Sequence, residues 1–395
     1  MKYCVIIPDG MADLPVARLG DKTPLQVASK PNMDRAAREG MLGQVNTVPH
    51  RMAPGSDVAI MSVIGYDPRK LYTGRGPLEA ADMGVELGPD DWAFRCNLIT
   101  TDGTNIVDFS AGHITDKEAA VLIEVLNKEL GSDEISFHAG PSYRHLMVYR
   151  GKEALDMETT PPHDVQGSPV ADNLPRGKGA DFIIDLMRRS AAILDGHEVN
   201  NVRRDLDQNP ANMIWLWGEG KRPNLEPFAT RFGVRGAAIS AVNLIRGMAK
   251  LIGWDVIRVP GATAYLDTDY AAKGRYAVDA LKTYDLVLVH IEAPDEAAHI
   301  GNVKAKIDAI EKVDLNVVGP IMAAREQWKD LRILIMPDHV TSVEKGLHLR
   351  GLVPFAMWGA YVLARSELDF TEACAAQTDI VLEEGFTLMR DFIHK

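Results

Sequence analysis

"DLVLVHIEAPDEAAH", residues 285–299, decides how this chain is read. It opens on an apolar run without the alternation of a half-exposed strand, the pattern of a parallel strand covered on both faces. It then passes through His290 to Asp295 and His299, side chains that can ligate metals or move protons. Asp295 and His299 are four apart, so at the start of a helix they share a face and can grip one ion. Two other runs end in the same way: "YCVIIPDG" (3–10) reaches Asp9, and "RILIMPDH" (332–339) reaches Asp338 and His339. In an open parallel sheet, ligands bind in the crevice beyond the carboxyl ends of the strands. Three strands therefore deliver ligand residues to one edge.

Further apolar runs, "GAAIS" (236–240), "DVIRV" (255–259) and "PFAMWG" (354–359), alternate with helical patterns. These are "AISAVNLIRGMAKLIG" (238–253) and "NVKAKIDAIEKVDLNVVGPIMAA" (302–324), where Pro320 places a kink or break. The expected core is α/β, a mostly parallel sheet between helices. The middle third is richer in charge, turn residues and prolines, as in "TTPPHDVQGSPVADNLPRGKG" (159–179), and its strand-like pieces are short. It is read as a smaller α+β domain, residues 83–225, inserted into a core made of 1–82 and 226–395. A length of 395 residues is too great for one ordinary core and fits two domains.

With 43 basic against 55 acidic residues the net charge is −12, which argues against a general nucleic-acid or anionic-membrane surface. No stretch reaches transmembrane length, and the apolar run from Tyr3 to Ile7 is too short for a signal peptide or anchor. Cys4, Cys96 and Cys374 are widely spaced and suggest neither a disulfide framework nor a thiolate metal site. The expectation is a cytoplasmic protein, monomer or small homo-oligomer, with no nucleic-acid or membrane partner.

His348 lies just before "LVPF" (352–355), where the chain re-enters the sheet and returns to the same edge. His299, His339 and His348 with Asp9, Asp295 and Asp338 make an oxygen and nitrogen ligand set suited to Mn²⁺, Mg²⁺ or Zn²⁺, and sufficient for two ions. Ser56, in "PGSDVA" (54–59), precedes a helical apolar pattern. Helix capping is the commonest reason for a serine there. The N–H groups of a helix N-terminus also favour a phosphoryl group, which would make Ser56 a nucleophile. Neither a P-loop nor a G-x-S-x-G elbow is present.

Asp9 in "PDG", Ser56 in "PGSDVA", Asp295 and His299 in "DEAAH", Asp338 and His339 in "PDH" and His348 in "HLRGLVPF" resemble, in order and spacing, the seven metal-site residues of cofactor-independent phosphoglycerate mutases of the alkaline phosphatase superfamily. "LYTGRGPLEAADMGV" (71–85) and "ATAYLDTDY" (262–270) are similar to the archaeal-type branch, and the resemblance covers essentially the whole chain. It implies an alkaline-phosphatase-like core with two divalent ions, Mn²⁺ first and Mg²⁺ or Zn²⁺ as alternatives. Asp295, His299 and His348 would hold one ion; Asp9, Ser56, Asp338 and His339 would hold the other. The implied reaction interconverts 3- and 2-phosphoglycerate through a phosphoserine at Ser56. In or near the insert, Arg75, Arg95, Arg144, His145, His163 and Arg176 are candidates to hold the substrate's anionic groups, and Asp164 is the candidate general base. One departure stands out. Where archaeal-type mutases carry a lysine-glycine pair, this chain has Glu292 and Ala293. That change, with "IWLWGEGKRP" (214–223), resembles a bacterial subgroup labelled proposed homoserine kinases. Phosphotransfer to homoserine on the same two-metal core is the alternative reading.

Overall fold

A computed structural model describes residues 1–152 and 154–394. They form two compact units, one from Met1–Tyr72 with Asn224–Lys395 and one from Thr73–Pro223.

The first unit is built on an eight-stranded sheet in the order Asp255–Val256, Gly236–Ile239, Leu286–Ile291, Lys2–Pro8, Leu331–Ile335, Val353–Gly359, Met41–Val45, Val381–Leu382. Only Val353–Gly359 runs against its neighbours. The six apolar runs singled out in the sequence all lie in this sheet, which is mostly parallel as expected. Met41–Val45 and Val381–Leu382 were not anticipated; the first is interrupted by Gly43, whose Cβ would lie 2.7 Å from Phe355. That close approach, and not strand propensity, explains the residue.

Leu286–Ile291, Lys2–Pro8 and Leu331–Ile335 are neighbours at the centre of the sheet and almost entirely buried. Burying each of their large aliphatic side chains contributes roughly 1.5–3 kcal/mol. Their registers pair Pro8 with Ile291 and Ile6 with Ile335, so the three strands finish at nearly one level. The helices Tyr270–Ala280 and Val303–Val313 pack their apolar faces into this core. Beyond Val313 the helix widens into a π segment, Asp314–Val318, before resuming as Gly319–Ala323. This is the break expected from Pro320, which has no N–H for the carbonyl four residues back.

The second unit is an antiparallel sheet, Ile106–Asp108, Trp92–Thr101, Arg144–Tyr149 and Ile135–His138 in order, with Met213–Lys221 on the other side of Trp92–Thr101. The long helices Asp116–Leu130 and Ala180–Leu194 bury their apolar faces in its core. The helix Arg75–Met83 packs on the Trp92–Thr101 and Met213–Lys221 strands through residues such as Ala80, so it belongs to this unit. The division expected after residue 82 thus falls ten residues earlier, after Tyr72. No helix among the described residues is long and apolar enough to cross a membrane.

Candidate functional site

The site grows from the ends of the three central strands. Asp9 follows Lys2–Pro8, Glu292 and the helix Ala293–His299 follow Leu286–Ile291, and Asp338 and His339 follow Leu331–Ile335. His348 arrives by a feature the sequence reading lacked, a short hairpin in which Val340–Ser342 pairs with Leu347–Leu349 and His348 stands opposite Thr341.

The seven residues fall into two groups. In the first, Asp295 Oδ2 is 3.0 Å from His299 Nε2, Asp295 Oδ1 is 3.4 Å from His348 Nε2, and the two Nε2 atoms are 3.0 Å apart. His299 Nδ1 lies 2.8 Å from the carbonyl of Gly346. A carbonyl only accepts, so Nδ1 carries a proton, and Nε2 is the atom left to bind a further proton or a metal ion. Asp295 pulls this imidazole up to about 9, so the two compete for one nitrogen.

In the second group, His339 Nε2 lies 3.2 Å from Ser56 Oγ, 3.2 Å from Asp338 Oδ2 and 3.7 Å from Asp9 Oδ1. Ser56 is the first residue of the helix Ser56–Val63, but Gly55 occupies the cap position and the Ser56 side chain makes no capping bond. Its hydroxyl turns to His339 instead, which sets aside the ordinary capping role. Asp338 Oδ1 accepts from the N–H groups of Gly10 and His339, at 3.1 and 2.8 Å, which anchors that carboxylate.

Three more residues join the site. His290 Nε2 is 2.8 Å from Asp9 Oδ2 and its Nδ1 is 3.3 Å from Ser240 Oγ. Glu292 Oε2 is 3.5 Å from the same His290 Nε2, and Thr341 Oγ1 is 2.6 Å from Asp295 Oδ1. A single buried polar residue inside an otherwise apolar strand was the available signal for His290; nothing local marks Thr341.

Four carboxylates, Asp9, Glu292, Asp295 and Asp338, thus share one region, and among the described residues none is ion-paired to lysine or arginine. Burial first, and then Asp338, Glu292 and Asp295, push Asp9 well above the usual carboxylate range. Burial and Asp295 push Glu292 up to about 8. Asp9 Oδ1, Asp338 Oδ2 and Glu292 Oε2 are buried without a hydrogen bond. Buried anionic oxygens need a cation or a donor. Ligand atoms of Asp295, His299 and His348, of Asp9, Asp295 and His339, and of Asp9, His290 and Glu292 each lie within 4.8 Å of one another. The donor set fits hard divalent ions.

The second unit gathers some of the substrate candidates around an unanticipated residue, Trp217. Strand register sets Trp217 opposite Arg95 and Asn97 opposite Arg144. The Arg95 guanidinium sits 4.2 Å from the Trp217 ring centroid and its Nε is 3.0 Å from Glu79; Arg75 stands 5.8 Å from the same ring. Trp217 Nε1 donates to Asn97 Oδ1 at 3.1 Å, and the His163 ring meets the indole edge-on at 5.3 Å. Arg144 lies 4.9 Å from the Tyr143 ring. Partial burial is the main cause that lowers His163 to about 4; Asp164 opposes it, and Arg75, Arg95 and Arg144 add to it. Asp164 is exposed, 3.7 Å from His163. His145 and Arg176 do not join this group. His145 is on the opposite face of its strand from Arg144 and is only 1% exposed, accepting from Gly140 N–H at 3.0 Å. Arg176 donates to the Asp172 carbonyl at 2.9 Å.

A mostly parallel α/β core that presents carboxylates, imidazoles and a helix-borne serine at its central strand ends is that of a divalent-metal enzyme. Comparison with known proteins narrows the class. A family model described as 2,3-bisphosphoglycerate-independent phosphoglycerate mutase matches residues 37–200. A protein of Methanothermobacter thermautotrophicus, named 2,3-bisphosphoglycerate-independent phosphoglycerate mutase 2, is 50% identical over 390 residues, covering 98% of this chain and 96% of its own. A Geobacter sulfurreducens protein named as a probable mutase of this kind is 48% identical over 394 residues, 98% of each chain. Among solved structures, a cofactor-independent phosphoglycerate mutase from Thermoplasma acidophilum superposes with a TM-score of 0.66 at 28% identity, covering 99% of both chains. A Pyrococcus horikoshii protein reaches a TM-score of 0.83 at 29% identity, covering 99% of this chain and 97% of its own. The chain belongs to the family of 2,3-bisphosphoglycerate-independent phosphoglycerate mutases.

Proposed function

We propose that this protein interconverts 3- and 2-phosphoglycerate in the cytoplasm, with Ser56 as the nucleophile. The observation that carries the reading is the Ser56 hydroxyl, free of any capping bond and 3.2 Å from His339 Nε2. Asp295, His299 and His348 would hold one divalent ion and Asp9, Ser56, Asp338 and His339 the other, with Mn²⁺ as the expected metal. When bound, the ions supply Lewis-acid activation and neutralise phosphoryl charge.

Ser56 Oγ forms its bond to phosphorus as the bond from phosphorus to the glycerate oxygen breaks. The second transfer reverses this toward the other glycerate oxygen and frees the serine. Net, one proton passes from one glycerate hydroxyl oxygen to the other, and Asp164 is the group proposed to carry it. Arg75, Arg95 and Arg144, with Trp217 as their platform, supply the forked cations that a carboxylate requires. Of the other candidates, His163 remains at this cluster; the burial of His145 and the local bond of Arg176 argue against direct roles for them.

With Mn²⁺ and 3-phosphoglycerate, and neither ATP nor bisphosphoglycerate, the protein forms 2-phosphoglycerate and carries phosphate on Ser56 by mass spectrometry. Ser56→Ala abolishes both; turnover that survives this substitution refutes the mechanism. Glu292, a carboxyl group in the same cluster as Asp9, is the observation behind a second reading, phosphotransfer to homoserine, since an amine-bearing substrate would supply the cation that lets this buried group ionise. ATP-dependent formation of phosphohomoserine without mutase turnover would establish that reading instead.

A further inference from the structure

Thr341 touches both ligand groups. Its wholly buried side chain places Oγ1 2.6 Å from Asp295 Oδ1 and 3.1 Å from His339 Nδ1. Proton accounting leaves one arrangement. The Asp295 carboxylate only accepts, so the hydroxyl donates to it. A hydroxyl has one proton to give, so toward His339 it must accept, and Nδ1 must carry the hydrogen. The lone pair of His339 is then on Nε2, the atom 3.2 Å from both Ser56 Oγ and Asp338 Oδ2.

The threonine is itself held firmly. Its N–H donates to the Ala12 carbonyl at 3.0 Å, and its carbonyl accepts from Lys306 Nζ at 2.6 Å. Lys306 is buried and pairs with Asp13 at 2.8 Å. On the other side stands Gly10, where a Cβ would come within 2.5 Å of Thr341 Oγ1 and 2.3 Å of Asp295 Oδ1. The hydroxyl therefore has little room to leave its place between a carboxylate of one group and an imidazole of the other.

We propose that Thr341 is a positioning residue that joins the two ligand groups into one unit, setting the tautomer of His339 and aiming the carboxylate of Asp295. The inference rests on the two-metal reading of the site and deepens it. Outer partners of this kind fix the ring orientation and basicity of a ligand without touching the ion.

Two measurements test it on the full chain. Histidine ¹⁵N NMR of the unsubstituted protein without added metal must find the His339 proton on Nδ1; a proton on Nε2 alone overturns the proposal. Equilibrium dialysis with Mn²⁺ must show Thr341→Val, which keeps the shape and removes the hydroxyl, weakening binding roughly 10- to 100-fold, and Thr341→Ser restoring it. A valine variant that folds and binds Mn²⁺ as the parent does overturns the proposal, because a packing role alone would shift its melting temperature and leave the affinity in place. If the valine variant does not fold, the tautomer decides. Neither readout involves phosphoglycerate, so absence of turnover, which would refute the proposed function, cannot be mistaken for failure of this inference.

Discussion

Gly10→Ala should cripple the metal centre of a chain that still folds. Gly10 follows Asp9 with φ +57°, in the left-handed region, where a residue with a Cβ pays about 1–2 kcal/mol. The added Cβ would also lie 2.3 Å from Asp295 Oδ1, 2.5 Å from Thr341 Oγ1 and 2.9 Å from Asp295 Cα. Forcing an extra methyl into packing of that density costs about 1–3 kcal/mol more, for a total of about 2–5 kcal/mol. For a unit of this size each kcal/mol lowers the melting temperature by roughly 2–4 °C, so calorimetry should record a drop of roughly 4–20 °C. Because one of the clashing atoms is backbone, relief moves the helix that carries Asp295, and Mn²⁺ affinity should fall at least about tenfold. Gly20→Ala is the control, since Gly20 has φ +68° with nothing within 4 Å of its Cβ position. It pays the backbone strain alone and should leave Mn²⁺ binding as it was. Equal effects of the two substitutions, or a Gly10→Ala protein with parental Mn²⁺ affinity, would refute the claim that Gly10 makes room for the centre.

Other expectations follow from the same geometry. With His299 raised to about 9, its protonation stabilises the metal-free fold fully below about pH 6.5 and that contribution is lost as pH rises through about 9. Protons and Mn²⁺ then compete at Nε2, so Mn²⁺ affinity should climb over about pH 6 to 9 and level off above it; a profile flat across that range in dialysis contradicts the assignment. Glu292 is likewise raised, to about 8, so the metal-free protein should lose stability as pH rises from about 4.5 to about 8. Asp9, raised by burial as well, keeps part of that loss, so melting curves of Glu292→Gln should show a smaller one, and an unchanged pH dependence would show that Glu292 ionises freely. Trp217→Ala removes the platform of Arg95 and Arg75; at about 0.5–2 kcal/mol for such a contact, KM for phosphoglycerate should rise roughly 2- to 30-fold, and an unaltered KM would place the substrate elsewhere.

Much of the core was legible because its signals are local. A strand covered on both faces shows as an unbroken apolar run, and the Asp295–His299 pair shows as a four-residue spacing on one helix face. Pro320 announced the helix break because losing one N–H disturbs the ladder wherever it occurs. Met41–Val45 escaped notice because its Gly43 answers to a neighbouring Phe355 ring, which no local window contains. Likewise the sequence offers His145 as a substrate contact together with Arg144, although successive residues of a strand point to opposite faces. Only the pairing with Trp92–Thr101 shows which face is buried.

The chain by itself determined which residues could stand at the edge of the sheet: Asp9, Asp295, Asp338 and His339 end or follow apolar runs that read as parallel strands. Only the tertiary structure decided what those residues do to one another. Three strand ends finishing at one level crowd together four carboxylates, none of them ion-paired to lysine or arginine among the described residues, and a hairpin swings His348 back against Asp295. Thr341 and His290 enter the site through contacts across long stretches of sequence, and Ser56 gives up the capping role its local sequence suggests to meet His339. Charge burial and hydrogen-bond direction are set by whatever lies within about 4 Å in space, and that neighbourhood comes into being only when the chain folds.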